Sequence, residues 1–236
     1  MSSREPLIFK EFIHLFGLHQ ERNWKHPWED SYRLTQEERD AVISSVQQFQ
    51  LGEGSDGSRF LKRAERFAKR FGVLSYVTAV QLFIAEENRH SKLLEQFLAK
   101  QGIPPLKSHW VDWCFRLTRR LAGAETMATT LVTAEIIARP YSRALRGATV
   151  SKLLKSICTQ ILAEEDTHIR FQAASIACMR LHQSRVERAK NTLLHRGLLE
   201  VALAVVWHEH RSVFSAGNYT FAELRAESLN GLAELN

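Results

Sequence analysis

Apolar side chains recur along most of this chain at spacings of three and four residues, the period of an amphipathic helix. Four stripes are long enough to face a common core. One reads Val46, Phe49, Glu53, Gly57, Phe60, Ala64, Phe67; a second Val80, Phe83, Ile84, Glu87, His90, Leu94, Phe97; a third runs through residues 124 to 147; a fourth reads Leu154, Ile157, Cys158, Ile161, Glu165, His168. Charged residues interrupt them at the centre and not at the margins.

The boundaries are marked by local chemistry. Thr35-Gln36-Glu37-Glu38 is a capping box, with Thr35 as N-cap and Glu38 reaching back, so the first long helix starts there. Gly52, Gly54 and Gly57 leave two readings of its middle: a loop that splits the segment, or a continuous helix thinned beside Glu53, which is the expectation adopted. Ser75 is expected to cap the second helix, which Gly102, Pro104 and Pro105 stop after Gln101. A single helix from Ser108 to Gly147 would set Glu135 about 40 Å from its start, whereas Glu87 lies about 21 Å before the end of its own helix. The two carboxylates would then differ in height by about 20 Å. The mismatch vanishes if residues 102 to 122 form a helical crossover with a break near Gly123, and the third helix runs from 124 to 147. The predicted fold is therefore all-α: a four-helix bundle of two antiparallel pairs joined by one long crossover. It is read as a single domain with an N-terminal arm over 1–34 (a short helix from about 6 to 17, then irregular chain), the bundle over 36–181 with its fourth helix from about 150 to 181, and a C-terminal extension over 185–236. Helices are expected there at 185–213 and from Phe221 to Leu235.

The interrupted stripes carry the candidate chemistry. Ala85-Glu86-Glu87-Asn88-Arg89-His90 and Ala163-Glu164-Glu165-Asp166-Thr167-His168 each place a carboxylate and an imidazole at i and i+3, on one helix face. Glu53 lies 34 residues before Glu87, and Glu135 lies 30 before Glu165: one helix up, a turn, and one helix down. Composition predicts roughly one Glu-x-x-His by chance. The third instance, Glu11 with His14, has no room for an upstream partner and is read as that chance copy. An unpaired buried carboxylate costs several kcal/mol unless it is protonated, hydrogen-bonded or bound to a cation. The six residues Glu53, Glu87, His90, Glu135, Glu165 and His168 match the needs of a dinuclear metal site inside a bundle. Glu86 and Glu164, one step off that face, are read as solvated carboxylates or as groups hydrogen-bonded beside the ligands, and Arg89 or Asp166 as partners to a ligand. His208-Glu209-His210 is read as a polar stretch at the surface, because i and i+2 point about 200° apart on a helix. Tyr141 is not placed near the metals.

Composition and charge narrow the picture further. The 236 residues, 44% of them hydrophobic, suffice for one large helical domain. No apolar run approaches 18 residues and the N-terminus lacks a signal-type segment, so a soluble cytoplasmic protein away from membranes is expected. Cys114, Cys158 and Cys178 form no Cys-x-x-Cys pair, which argues against an internal iron-thiolate domain and against a disulfide framework. The formal net charge is +6, with Arg180, Arg185, Arg188, Lys190 and Arg196 crowded together. That crowd reads as a solvated helix face, or else as a docking surface for an acidic carrier protein or electron donor. Basic and aromatic residues do not interleave as nucleic-acid binding would require.

On these residues the chain resembles the ferritin-like superfamily of di-iron carboxylate proteins. Gly52-Glu53 with Glu87-x-x-His90 resembles the first half-site of rubrerythrins, and Thr133-Ala134-Glu135 with Glu165-x-x-His168 the second, over roughly residues 38 to 180. The resemblance implies Glu53 and His90 as terminal ligands of one ion, Glu135 and His168 of the other, and Glu87 and Glu165 as bridges. It also implies a homodimer. Rubrerythrin-type peroxidases carry a further carboxylate one turn after the third-helix Glu, where this chain has Ala138. The ligand set resembles instead that of fatty-acyl desaturases, aldehyde-deformylating oxygenases and arylamine oxygenases.

The function expected is thus a di-iron oxidase or oxygenase, with two irons or a manganese and iron pair, acting on an apolar or aromatic organic substrate with electrons from a separate reductase or ferredoxin. Gly54, Gly57, Ala134 and Ala138 would either open a substrate channel or mark close helix contacts. Two alternatives stand beside it: a ferroxidase or peroxide-detoxifying protein, and a metal-free interaction module, toward which failure of Glu53 to reach the site would point.

Overall fold

A computed structural model describes residues 8–54, 57–110, 124–181 and 183–235. The described residues form helices and connections, without strands. In chain order the helices are α1 (Ile8–Glu21), α2 (Gln36–Glu53), α3 (Ser58–Phe71), α4 (Ser75–Lys100), α5 (Ala124–Gly147), α6 (Lys152–Arg180), α7 (Arg185–Glu209), α8 (Arg211–Ala216) and α9 (Phe221–Ala233). Helices α2, α4, α5 and α6 make up the bundle. Helix α1 lies across α4 and α6, while α7, α8 and α9 close over α5.

The capping box at Thr35 is formed, with Thr35 accepting from the Glu38 backbone N–H and Glu38 from that of Thr35. Glu38 also accepts from the Tyr32 hydroxyl, the Thr149 hydroxyl and the Val150 N–H, so one side chain joins the arm, α2 and the turn between α5 and α6. Helix α5 ends where the spacing predicts, and Ser151 caps α6 by accepting from Leu154.

Four expectations are corrected. The first helix is not continuous: α2 ends at Glu53, Gly54 is extended, and Gly57 sits in the left-handed region at φ 60° before α3 begins. A Cβ at Gly57 would lie 2.5 Å from Ile84, so glycine is required there by backbone and by packing alike. Ser75 does not cap α4; the N-cap is Leu74, with no side-chain bond to the helix end. Residues 102–109 are not helical, and the remainder of the expected crossover, with the break near Gly123, lies outside the described residues. His210 is no surface residue: it ends α7 in a buried position, with Ser45 Oγ 2.6 Å from its Nδ1 and 2.8 Å from the Tyr141 hydroxyl.

The apolar interior is divided in two. One cluster gathers Val46, Leu94, Phe97, Leu154, Ile157 and Ile161 with α7, α8 and α9; the other gathers Phe9, Phe12 and Phe16 of α1 with Phe60, Phe83 and Phe171. Along α4 the chain passes from Phe83 in the second cluster to Leu94 in the first, and along α6 from Ile161 in the first to Phe171 in the second. Between those residues, on both helices, lie the Glu-x-x-His motifs. A polar layer therefore crosses α4 and α6 at the motifs, while Ile169 and Ile176 carry the first cluster past it along α6.

Candidate metal centre

All six side chains singled out in the sequence converge in that layer. Glu53, Glu87 and His90 bring potential ligand atoms within 4.8 Å of one another, and so do Glu87, Glu135, Glu165 and His168. Glu87 belongs to both groups, as a bridge would. Glu165 falls only in the second, so the two halves are unequal. His90 Nδ1 lies 3.6 Å from Glu53 and 3.9 Å from Glu87; His168 Nδ1 lies 2.9 Å from Glu87, 3.7 Å from Glu165 and 3.8 Å from Glu135. The two imidazoles are 5.6 Å apart between centroids.

Burial makes this arrangement costly. His90, His168 and Glu165 are fully enclosed, and Glu53 and Glu135 nearly so. Glu53 Oε2, Glu87 Oε1, both oxygens of Glu165, and Nδ1 of both histidines have no hydrogen-bond partner. Glu53 also stands at the C-terminal end of α2, where the helix dipole disfavours an anion. Burial, with the neighbouring charges of Glu135 and Glu53, holds the Glu87 carboxyl well above the usual range; burial and Glu135 do the same to Glu165. Burial works against a charged His90, yet its bond to Glu164 and the nearby charges of Glu53 and Glu87 outweigh it and lift the ring to about 10. His168 is raised well above its usual value against the same burial, by Glu87, Glu135 and Glu86. Protons thus substitute for cations in a cluster that has too many carboxyls to ionise alone.

The outer nitrogens of the two rings are fixed. His90 Nε2–H donates to Glu164 at 2.6 Å, and His168 Nε2–H donates to Glu86 at 3.2 Å. Each ring therefore turns Nδ1 inward, where loss of its proton would expose a lone pair to a metal, the arrangement that outer carboxylates give metal-binding histidines. The pairing is reciprocal. Glu86 on α4 meets His168 on α6, and one turn further along α4 His90 meets Glu164, one turn back on α6, so the two helices run antiparallel. Burial opposes charge on Glu86 and Glu164, but the histidine bonds prevail and keep both carboxylates below their ordinary range.

Glu86 and Glu164 are therefore neither solvated nor peripheral. Arg89 spans them, at 3.2 Å from Glu86 and 3.3 Å from Glu164, while Asp166 pairs outward with Arg139. His19, Glu86 and Glu164 form a third close cluster. Chemically it differs from the other two: both oxygens of each of its carboxylates already accept hydrogen bonds or face Arg89. A cation is wanted in the first two clusters and not in the third.

Sequence reasoning missed His19, Trp24 and His26 on the N-terminal segment. His19 Nδ1–H donates to Glu86 at 2.8 Å and Trp24 Nε1–H to Glu164 at 3.2 Å. His26 Nε2 meets Gln160, which in turn donates to Glu164. A signal existed, since His19 continues the stripe of Phe9, Phe12 and Phe16 on α1, and the doubled Glu in both motifs announces an inner and an outer carboxylate. The chance copy behaves as one: Glu11 is exposed and pairs with Arg170, and His14 is exposed. Gly57 is filled against Ile84, and a Cβ on Gly54 would meet Ser91 Oγ at 3.0 Å, so these two glycines mark close contacts and not a channel.

No protein-family model matches the sequence, and no curated protein matches it significantly. Solved structures do match in three dimensions. A valine-to-isoleucine variant of an R2-like ligand-binding oxidase with aerobically reconstituted Mn/Fe cofactor superposes with a TM-score of 0.65 at 15% identity, covering 100% of this chain and 94% of that one. A valine-to-alanine variant with anaerobically reconstituted Mn/Fe cofactor gives 0.63 at 14% identity over 100% and 94%. A tyrosine-to-phenylalanine variant gives 0.63 at 15% identity over 95% and 92%. At such identities the likeness establishes the fold: this chain is a ferritin-like helical bundle. Among the described residues no helix is long and apolar enough to cross a membrane.

Proposed function

We propose that this ferritin-like chain is a di-metal oxidase, with Glu53, Glu87, His90, Glu135, Glu165 and His168 as its ligands. The observation that carries the reading is the set of enclosed ligand atoms, on five of these six residues, that have no hydrogen-bond partner and face one another across the polar layer. Glu53 reaches the group, which weighs against a metal-free interaction module. Carboxylate oxygens with two imidazole nitrogens suit iron or manganese, and the Mn/Fe cofactor named for the structural neighbours supports a mixed pair as readily as two irons. Two such ions, when bound, supply the redox chemistry that reduces dioxygen.

The chain's own residues then set the conditions. Glu164 and Glu86 keep both Nδ1 lone pairs inward, and Glu87, shared by both groups, can draw the two ions together. Phe83 and Phe16, with ring centroids 4.9 and 6.0 Å from His168, exclude water on that side. An external reductase or ferredoxin completes the reading, since the three cysteines offer no Cys-x-x-Cys electron carrier; an apolar organic substrate rests on the resemblance of the ligand set alone, because Gly54 and Gly57 open no channel.

The test is reconstitution of chelator-treated protein under argon with ferrous ion alone, or with manganous and ferrous ions together. Metal content and oxygen uptake are then measured. About two ions per chain and metal-dependent oxygen uptake are expected. Uptake of no metal by folded protein would overturn the reading. Rapid catalytic ferrous oxidation, with no reductant or substrate needed for turnover, would replace it with iron handling.

A further inference from the structure

Both outer carboxylates are held from outside the bundle by one stretch of chain. From α1, His19 reaches Glu86; five residues later Trp24 reaches Glu164; two residues beyond, His26 bonds Ser156 and Gln160, the latter a donor to Glu164. These bonds are separable from the packing that docks α1. That packing is supplied by Phe9, Phe12 and Phe16 against Tyr76, Phe83 and Phe171, all buried, and does not need His19 or Trp24.

The polar side chains do something the phenylalanines cannot. Each carboxylate has two oxygens to orient, and the histidine bond alone leaves it free to pivot toward Arg89, which lies between the two. His19 fixes the Glu86 oxygen that also receives His168 Nε2–H, since both bonds end on Oε1. Trp24 takes Oε1 of Glu164, His90 and Arg89 take Oε2, and Gln160 donates to both oxygens. Arg22, 4.1 Å above the Trp24 ring, pins the indole in turn.

Resting on the di-metal reading above, we infer that His19 and Trp24 are positioning residues for the metal centre. His19 acts through Glu86 on His168, and Trp24 through Glu164 on His90. The N-terminal segment is thus part of the site's construction and not a cover laid over a finished bundle. Because each half-site has its own brace, the two braces tune the two metal positions separately.

The experiment uses the full-length chain, chelator-treated, and titrates cobaltous ion alone, following its visible absorption. His19→Ala and Trp24→Phe are the test variants; Trp24→Phe keeps the ring and removes only the N–H. His19→Asn restores a donor near the position of Nδ1. We expect two binding steps in the wild type. His19→Ala weakens one of them about tenfold and shifts its absorption, Trp24→Phe does the same to the other, and His19→Asn recovers most of the loss. Urea unfolding of the metal-free variants separates this from a general loss of stability, which would lower the midpoint and leave the affinity and spectrum of the folded protein unchanged. Wild-type affinity and spectrum in both folded variants would overturn the inference while leaving the di-metal reading intact. Absence of cobalt binding in the wild type would overturn both.

Discussion

Glu165 shows how a residue can be wrong for the fold and right for the site. It is fully enclosed, with neither oxygen hydrogen-bonded, at a point where the α6 stripe calls for an aliphatic side chain. Replacing it by leucine, which has a similar volume, removes the buried polar atoms. Glu165→Leu should raise the unfolding free energy of the metal-free protein by about 1–3 kcal/mol in urea titrations, while, on the di-metal reading, reconstitution should load one ion fewer than in wild type. A variant less stable than wild type in the metal-free state would mean that those oxygens are satisfied within the protein. The six inner residues were legible because each breaks an apolar period at a fixed interval. His19 and Trp24 were legible only in part: the Phe9, Phe12, Phe16 stripe turns His19 inward, but their partners lie 67 and 140 residues away and no local spacing names them.

At the scale of elements, capping chemistry and periodicity located the start of α2, the end of α5 and the spans of α4 and α6 to within a few residues, while the expected break near Gly123 lies outside the described residues. What periodicity missed was the break after Glu53. The stripe from Val46 to Phe67 keeps its helical phase across the break, so hydrophobic pattern alone reads it as continuous. Backbone conformation decides instead, and Gly57 carries the decision. Gly57→Ala should cost about 2–3 kcal/mol: roughly 1 for the left-handed backbone and at least 1 for the Ile84 overlap. Urea unfolding of Gly57→Ala, and of Gly57→Ala in an Ile84→Ala background against Ile84→Ala alone, checks both parts, because removing Cγ1, Cγ2 and Cδ1, all within 2.8 Å of the added methyl, should recover only the steric share. His210 was misjudged for a related reason. The angular argument correctly keeps His208 and His210 from sharing an ion, yet it says nothing about which of the two faces inward.

Over the whole molecule, two buried histidines outside the site link folding to pH. Burial, assisted by the charge of Arg180, pushes His195 down to about 4; burial, assisted by His109, does the same to His210. In the unfolded chain both rings take protons near pH 6.5. Between about pH 6.5 and 4 the unfolded state therefore holds more protons, and stability present at neutral pH is lost as pH falls through that window. Each ring should contribute on the order of 1–2 kcal/mol of that loss by pH 5, so His210→Gln should show a shallower decline than wild type in urea unfolding at pH 7 and 5. The reciprocal bonds of Glu86 with His168 and Glu164 with His90 act at the same scale in a mechanical sense. Sliding α4 along α6 by the rise of one residue, about 1.5 Å, would strain both bonds together. The pair therefore works as a register lock, and the facing of Glu87 and His90 against Glu165 and His168 becomes a property of two stiff rods.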